Sequence, residues 1–368
     1  MIFSLGGVPL PVLSRVRLYV CGITPYDTTH VGHAATFVWV DTLSRVLEHI
    51  GVDVQVCRNV TDVDDDLLRA AAERGVTWNA LATQQTFRFE DDMRKLRVRR
   101  PTFEPLAREY VTDVIFLARA LLDRGAAYER EGTVWFKGEQ MAERARAAGL
   151  DPDDAAVRLA AHGGEPTERP VDHPLDASVW RRSLDGEPSW TSPWGDGRPG
   201  WNAECAAMAS SVLGVGIDVQ AGGEDLAFPH HAYSAAMVEA ATGQSPFART
   251  HMHVGTVRHA GEKVAKSTGN LVFVEDLLRR WPAEVLRLHL LDRPWSQGWD
   301  FAEGDLADTA ARLEHLYAGA GKLGEDDIAT TAALDALATD LDVPRALAIA
   351  EEAGQGTART IGKVLGVL

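Results

Sequence analysis

The chain reads as an α/β protein built on a parallel sheet of βαβ type that is split by an insertion and followed by a helical segment. Three observations predict this: a strand, a long helix and a second strand early in the chain, an abrupt change of composition at 162–200, and an Ala- and Leu-spaced segment at 303–368. The 368 residues exceed the ~150-residue prior for one domain, so two or three units are expected. Hydrophobic residues at 45% and charged residues at 24% allow a real core and exclude global disorder.

The first element is VRLYV at 16–20, an apolar run that ends abruptly in Cys21-Gly22 and Pro25 and reads as a buried strand. From Gly32 to Ile50, Val40, Leu43, Leu47 and Ile50 recur at three- and four-residue spacing, so a helix presents one apolar face. VDVQVC at 52–57 is a second strand. This βαβ unit binds ligands beyond the carboxyl ends of its strands, which is where Cys21 through His33 lie. Residues 63–124 are helix-rich, with breaks at Gly75 and around Pro101 and Pro105 and a closing Gly125. AAYEREGTVWF reads as a hairpin, and two Ala-rich helices run to about 161. Gly, Pro, Asp and Trp then dominate 162–200, which reads as loops and chain crossings. A helix from Ala203, an apolar strand GVGIDVQ, a Gly-rich turn and a helix after Pro229 resume the pattern, and 251–270 suggest strands joined by a polar loop. The divisions expected are a split sheet domain at 1–125 and 186–255, an insert at 126–185, a connecting region at 256–302 and a helical domain at 303–368.

The formal charge of −16 works against a partner held mainly through phosphates. Three cysteines, Cys21, Cys57 and Cys205, do not form a secreted disulfide framework, and Cys57 reads as a buried strand thiol. The N-terminal residues lack a leader pattern, and no apolar stretch reaches the ~20 residues of a membrane span. A cytoplasmic monomer without membrane contact is expected.

Three constellations carry possible chemistry. Cys21, Cys205 and the pair His230-His231 offer thiolates and imidazoles that suit zinc, although spacing alone equally allows two buried cysteines and a histidine pair at a helix start. Thr29-His30-Val31-Gly32-His33 stands at a helix N-terminus, where free N–H groups and the helix dipole favour a nucleotide triphosphate, and Gly32 lets a flat base approach the backbone. The loop Gly261 to Asn270 contains Lys263 and Lys266, and in isolation it equally describes a solvated basic loop.

In this order, the His-Gly-His and Lys-x-x-Lys-Ser segments resemble the two signatures of class I aminoacyl-tRNA synthetases. CGITPYDTTHVGHA, NVTDVDD, PLDASVW, GWNAEC, GGEDLAFPHH and GEKVAKSTGN are similar to successive blocks of the cysteinyl-tRNA synthetase family over about residues 16–300. The resemblance implies a class I synthetase-type Rossmann (HUP) catalytic domain with an inserted connective subdomain, a stem-contact region carrying the KVAKS loop, and a short C-terminal helical bundle. It implies one Zn2+ on Cys21, Cys205 and His230, with ATP and Mg2+ as co-substrate. His30, His33, Lys266 and Lys263 are then assigned to the phosphates, Gly32 to the adenine, and Thr24, Thr61, Trp201, Gly22 and Val257 to the cysteine and its adenylate. Asp225 is assigned to the attacking amine, to orient or deprotonate it.

Within the family, Cys21-Gly22-Ile23-Thr24-Pro25-Tyr26-Asp27 followed by GHAAT looks closer to the cysteine ligases of mycothiol biosynthesis, which join cysteine to the amine of glucosaminyl-inositol. Synthetases usually carry a Glu as fourth zinc ligand where this chain has Ser234, so the resemblance implies three ligands and an open position. Only about 65 residues follow position 303, and they are acidic, without the Lys/Arg cluster of a tRNA contact. Small-molecule substrates are therefore expected and tRNA is not. The departures are KVAKS in place of KMSKS, Asn202 where a His is common, and Glu224 where a Ser is common. A ligase for another small amine, a tRNA-charging enzyme, and a non-catalytic sensor of cysteine or adenylate are the alternatives. The retained histidines, lysines and zinc ligands argue against the sensor.

Overall fold

A computed structural model describes residues 3–162, 170–264 and 270–368, so Lys266 lies outside the described residues. The catalytic sheet has four strands: β1 (Arg15–Ile23), β2 (Asp53–Val60), β3 (Ile217–Gly223) and β4 (Ala248–Val254). Their order is β4-β3-β1-β2 and every pairing is parallel. Leu18 of β1 sits between Val219 of β3 and Val56 of β2. A strand covered on both faces needs an apolar run rather than an alternation, which is why VRLYV has one.

Helix α1 (Val31–His49) follows β1 and matches the sequence expectation within a residue at each end. It is buried along nearly its whole length rather than on one face. The sheet lies on one side of it, and α4 (Ala283–Leu291) and the C-terminal helices pack on the other. The remaining labelled helices, α2 (Trp201–Leu213) and α3 (Ala232–Thr242), flank β3.

The insert is a five-stranded antiparallel sheet of Ala127–Arg130, Thr133–Phe136, Ala177–Arg182, Gly195–Pro199 and Trp190–Ser192, in that spatial order. Two helices, Met141–Ala147 and Pro152–His162, interrupt it. The stretch read as loops at 162–200 thus supplies three of the strands, and the sheet runs past the boundary expected at 185 because Arg182 pairs with Gly197. The glycine content that suggested loops has a packing cause: a Cβ at Gly197 would stand 2.4 Å from Trp180 Nε1. Only glycine fits under that indole.

Downstream, Val257–His259, Glu262–Lys263 and Trp299–Asp300 make a small sheet. Four helices from Asp305 to Val364 complete the chain as a bundle, in keeping with the Ala and Leu spacing. No helix among the described residues is long and apolar enough to cross a membrane.

Arg287 of α4 is 0% exposed. It donates to the Asp41 carboxylate of α1, to Leu96 O at 3.0 Å and to Leu365 O at 2.6 Å. Asp41 also accepts from Arg45 at 2.7 Å and Arg99 at 3.0 Å. Removing one member of a buried pair strands the other charge, a loss of about 3–5 kcal/mol. Arg287→Ala is therefore expected to lower the unfolding free energy by that amount, read as a lower urea midpoint at an unchanged m value, and a midpoint within error of the parent would contradict this.

Candidate active site and metal cluster

β1 delivers Cys21 to the carboxyl edge of the sheet, where Gly22 passes against β2. A Cβ at Gly22 would lie 1.7 Å from Asn59 O, so the chain passes here only as glycine. The Asn59 side chain fixes the crossing by accepting from Gly22 N at 2.9 Å. α2 brings Cys205 to the same place, one turn after Trp201. Before α3 the backbone kinks at Phe228, which is extended (φ −141, ψ 132), and this turns His230 and His231 inward.

The sulfurs of Cys21 and Cys205 are 4.0 Å apart, and the ligand atoms of Cys21, Cys205 and His230 all lie within 4.8 Å of one another. Two thiolates on a tetrahedral zinc at ~2.3 Å hold their sulfurs ~3.8 Å apart, so the donor set and its spacing fit that ion. His230 Nδ1 faces Asn202 Oδ1 at 2.8 Å. An amide oxygen only accepts, so Nδ1 carries the proton and Nε2 keeps its lone pair for a metal. Trp201 stacks on the His230 ring at 3.9 Å and 21°. Burial and the hydrogen bond to Cys205 push the Cys21 thiol up. Burial also disfavours the Cys205 thiolate, yet the Cys21 S–H and His230 hold that thiol well below its usual range.

His231 stands on the other cysteine, with Nε2 3.2 Å from Cys21 Sγ and Nδ1 2.8 Å from His253 Nε2. Sequence reasoning noted the pair His230-His231 but chose only His230. Ser234, one turn on, donates to His231 O at 3.2 Å and accepts from Gln220 at 3.1 Å.

The start of α1 forms the other end of the site. His30 caps the helix by accepting from Gly32 N at 3.2 Å, and His33 stacks on it at 3.8 Å. A Cβ on Gly32 would press to 3.0 Å from that ring. Burial holds both imidazoles neutral: His30 is driven far down, with His33 and Lys263 adding to the effect, and His33 falls to about 4. Lys263 reaches Asp225 at 2.8 Å. Partial desolvation in the cleft opposes ionisation of Asp225, but the Lys263 ammonium keeps its carboxyl below the ordinary range. Thr24 and Thr61 share a hydroxyl hydrogen bond of 2.9 Å at the ends of β1 and β2. A cleft of ≈ 480 Å³ joins both ends, and every described site residue named from sequence, Val257 included, lines it. That volume suits a small-molecule site.

Among known proteins, residues 11–311 match the family described as tRNA synthetases class I (C) catalytic domain. The chain belongs to that family. The L-cysteine:1D-myo-inositol 2-amino-2-deoxy-alpha-D-glucopyranoside ligase of Gordonia bronchialis is 45% identical over 338 residues, which are 90% of this chain and 82% of that protein. The ligase of the same name from Streptomyces coelicolor is 43% identical over 351 residues, 93% of this chain and 85% of that one. A solved Mycobacterium tuberculosis methionyl-tRNA synthetase with methionyl-adenylate superposes at TM-score 0.62 and 18% identity, covering 96% of this chain and 82% of that one. A second solved structure of that enzyme gives TM-score 0.65 at 16% identity, covering 95% and 84%. These likenesses show the class I synthetase-type Rossmann fold, and the relatives show that this family member is a ligase.

Seen as a family member, the chain makes its departures intelligible. Asn202, where a His is common, sets the tautomer of His230. Glu224 does not stand free beside the cleft, because its Oε2 accepts from Thr256 N at 3.2 Å and Thr256 Oγ1 at 3.0 Å. One group was missed: Asp27, Asp64, Asp65 and Asp66 also line the cleft, and burial with the neighbouring Asp66 pushes Asp64 up to about 7. The NVTDVDD block was the available signal for Asp64 and Asp65, with Asp66 directly after it.

His33 and His289 are lowered by burial from the ordinary 6.5 to about 4. Between those values the unfolded chain binds more protons than the folded one, so stability falls as pH drops from ~6.5 towards ~4. Denaturant midpoints across that window are expected to show this slope, and His289→Asn to flatten it; an unchanged slope in that variant would count against a buried neutral His289.

Proposed function

We propose that this ligase activates L-cysteine with ATP as cysteinyl-adenylate and transfers the cysteinyl group to the amine of glucosaminyl-inositol, releasing pyrophosphate and then AMP. The observation that carries the reading is one cleft holding a three-ligand Cys21, Cys205 and His230 cluster at one end and the His30, His33 and Lys263 group at the other. The names of the relatives support the choice of acceptor. Zinc on that cluster supplies a soft Lewis acid that prefers a thiolate to the hydroxyl of serine, a distinction that an apolar pocket makes poorly. Ser234, bonded to His231 and Gln220, offers the cluster no carboxylate and so leaves room for the substrate.

Trp201, stacked on His230, makes a wall for the amino acid, and Thr24 and Thr61 line the path from side chain to adenylate. The cysteine carboxylate oxygen attacks the α-phosphorus, the bond to the β-phosphate oxygen breaks and pyrophosphate leaves; Mg2+ bound to the ATP would offset its charge. Neutral His30 and His33 at the α1 N-terminus donate hydrogen bonds without repelling the Lys263 ammonium, and the helix end favours the phosphate charge. Gly32 and Val257 are assigned to the adenylate beside Gly22. The resemblance assigns Lys266, outside the described residues, to the same phosphates. In the second step the amine nitrogen attacks the carbonyl carbon, the bond from that carbon to the AMP oxygen breaks, AMP leaves and the amine proton passes to solvent as the amide forms. A carboxylate held as ionised as Asp225 is a poor base and a good acceptor, so its role is to orient the amine.

ATP–pyrophosphate exchange tests the first step. Exchange is expected with cysteine and not with serine, and His33→Ala or Lys263→Ala should each cost about 10²–10³ in rate. AMP release should follow addition of glucosaminyl-inositol. Absence of cysteine-dependent exchange would sink the ligase reading, and AMP release only on tRNA would transfer it to tRNA charging.

A further inference from the structure

We infer that His231 is a positioning residue that donates a hydrogen bond from Nε2 to the Cys21 sulfur, with His253 setting its tautomer and Gly222 making room for its ring. The inference rests on the reading that Cys21, Cys205 and His230 hold zinc, and it concerns how the chain prepares one of those ligands.

The direction of the bond follows from donor counting. His231 is buried and has two neighbours, Cys21 Sγ at 3.2 Å from Nε2 and His253 Nε2 at 2.8 Å from Nδ1. A neutral imidazole has one N–H, so it donates to one neighbour and accepts from the other. Cys21 has a single S–H, directed to Cys205 in the free cluster, and none once the sulfur is a metal-bound thiolate. In both states Cys21 has only lone pairs to offer His231, so Nε2 carries the proton. Nδ1 is then the acceptor, and His253 must donate from its own Nε2.

The site is built for this contact. A Cβ at Gly222 of β3 would lie 2.9 Å from His231 Cε1 and 3.1 Å from Nε2, so a side chain there would displace the ring. Ser234 ties down the backbone by donating to His231 O at 3.2 Å. Such a donor fixes the sulfur and draws density from it, which leaves the metal more acidic towards an incoming thiolate.

Zinc affinity by chelator competition and the sulfur-to-cobalt charge-transfer band of the Co(II)-substituted protein test this without an activity readout. His231→Phe, which keeps the ring shape and loses the donor, is expected to bind zinc 10–100-fold more weakly and to move the band to lower energy. His231→Gln, which restores an N–H at a similar reach, should recover most of both. If His231→Phe does not fold, His253→Leu should shift the band in the same direction by less. A parent-like affinity and band in His231→Phe, or an unmoved band in His253→Leu, overturns the inference. A cobalt d–d spectrum altered alike in the Phe and Gln variants would make His231 a ligand and also overturn it. A parent that holds no stoichiometric zinc overturns the metal reading itself, which is a separate failure.

Discussion

The ion pair between Asp41 and Arg287 holds the working parts of this molecule in one frame. A carboxylate buried in the middle of α1 is tolerable only with a charge against it and its remaining lone pairs filled. Arg287 supplies the charge from α4, and Arg45 and Arg99 fill the rest. The same guanidinium reaches Leu96 O and Leu365 O, so one side chain joins α1, the end of the helix Trp78–Lys95, α4 and the chain's last residues. α1 is also tied at its start, where Val31 N donates to Val272 O at 2.9 Å and Val274 N to Thr29 O at 3.0 Å. The His30 and His33 end of the cleft is therefore held in register with the segment that carries Lys263.

Within that frame the site manages charge by keeping most of its groups neutral. His30 and His33 are half-buried and stacked on one another, which holds both imidazoles neutral beside the Lys263 ammonium. Asp225 balances it. At the other end, Cys21 and Cys205 face one another beside two imidazoles, the first thiol pushed up by burial and the second held down by its neighbours. A formal charge of −16 does not by itself exclude an anionic ligand, because binding depends on local donors rather than on net charge.

The positions that depart from the synthetase pattern work as a group. Asn202 orients His230, Ser234 supports the backbone of His231, and Glu224 clasps Thr256. Each makes a hydrogen bond that fixes a neighbour. The result is that Cys21, Cys205 and His230 stand together with no carboxylate from Ser234 among them.

Much of this was legible in the linear chain. VRLYV announced a central strand because burial on both faces demands an unbroken apolar run, and the spacing of Val40, Leu43 and Leu47 announced α1. Cys21, His30, Lys263 and Cys205 were legible because chemistry restricts residue type at those positions, and their order along the chain carried the resemblance. The strands at 177–199 were misread because glycines that serve packing, such as Gly197 under Trp180, are indistinguishable in sequence from glycines that serve turns. Residue types and their order thus determined the fold class and the inventory of the site. Tertiary structure alone decided which histidine faces which cysteine, that Asp225 meets Lys263, and that Asp41 needs Arg287. Those pairings join residues up to hundreds of positions apart, and no local periodicity encodes an angle or a distance between them.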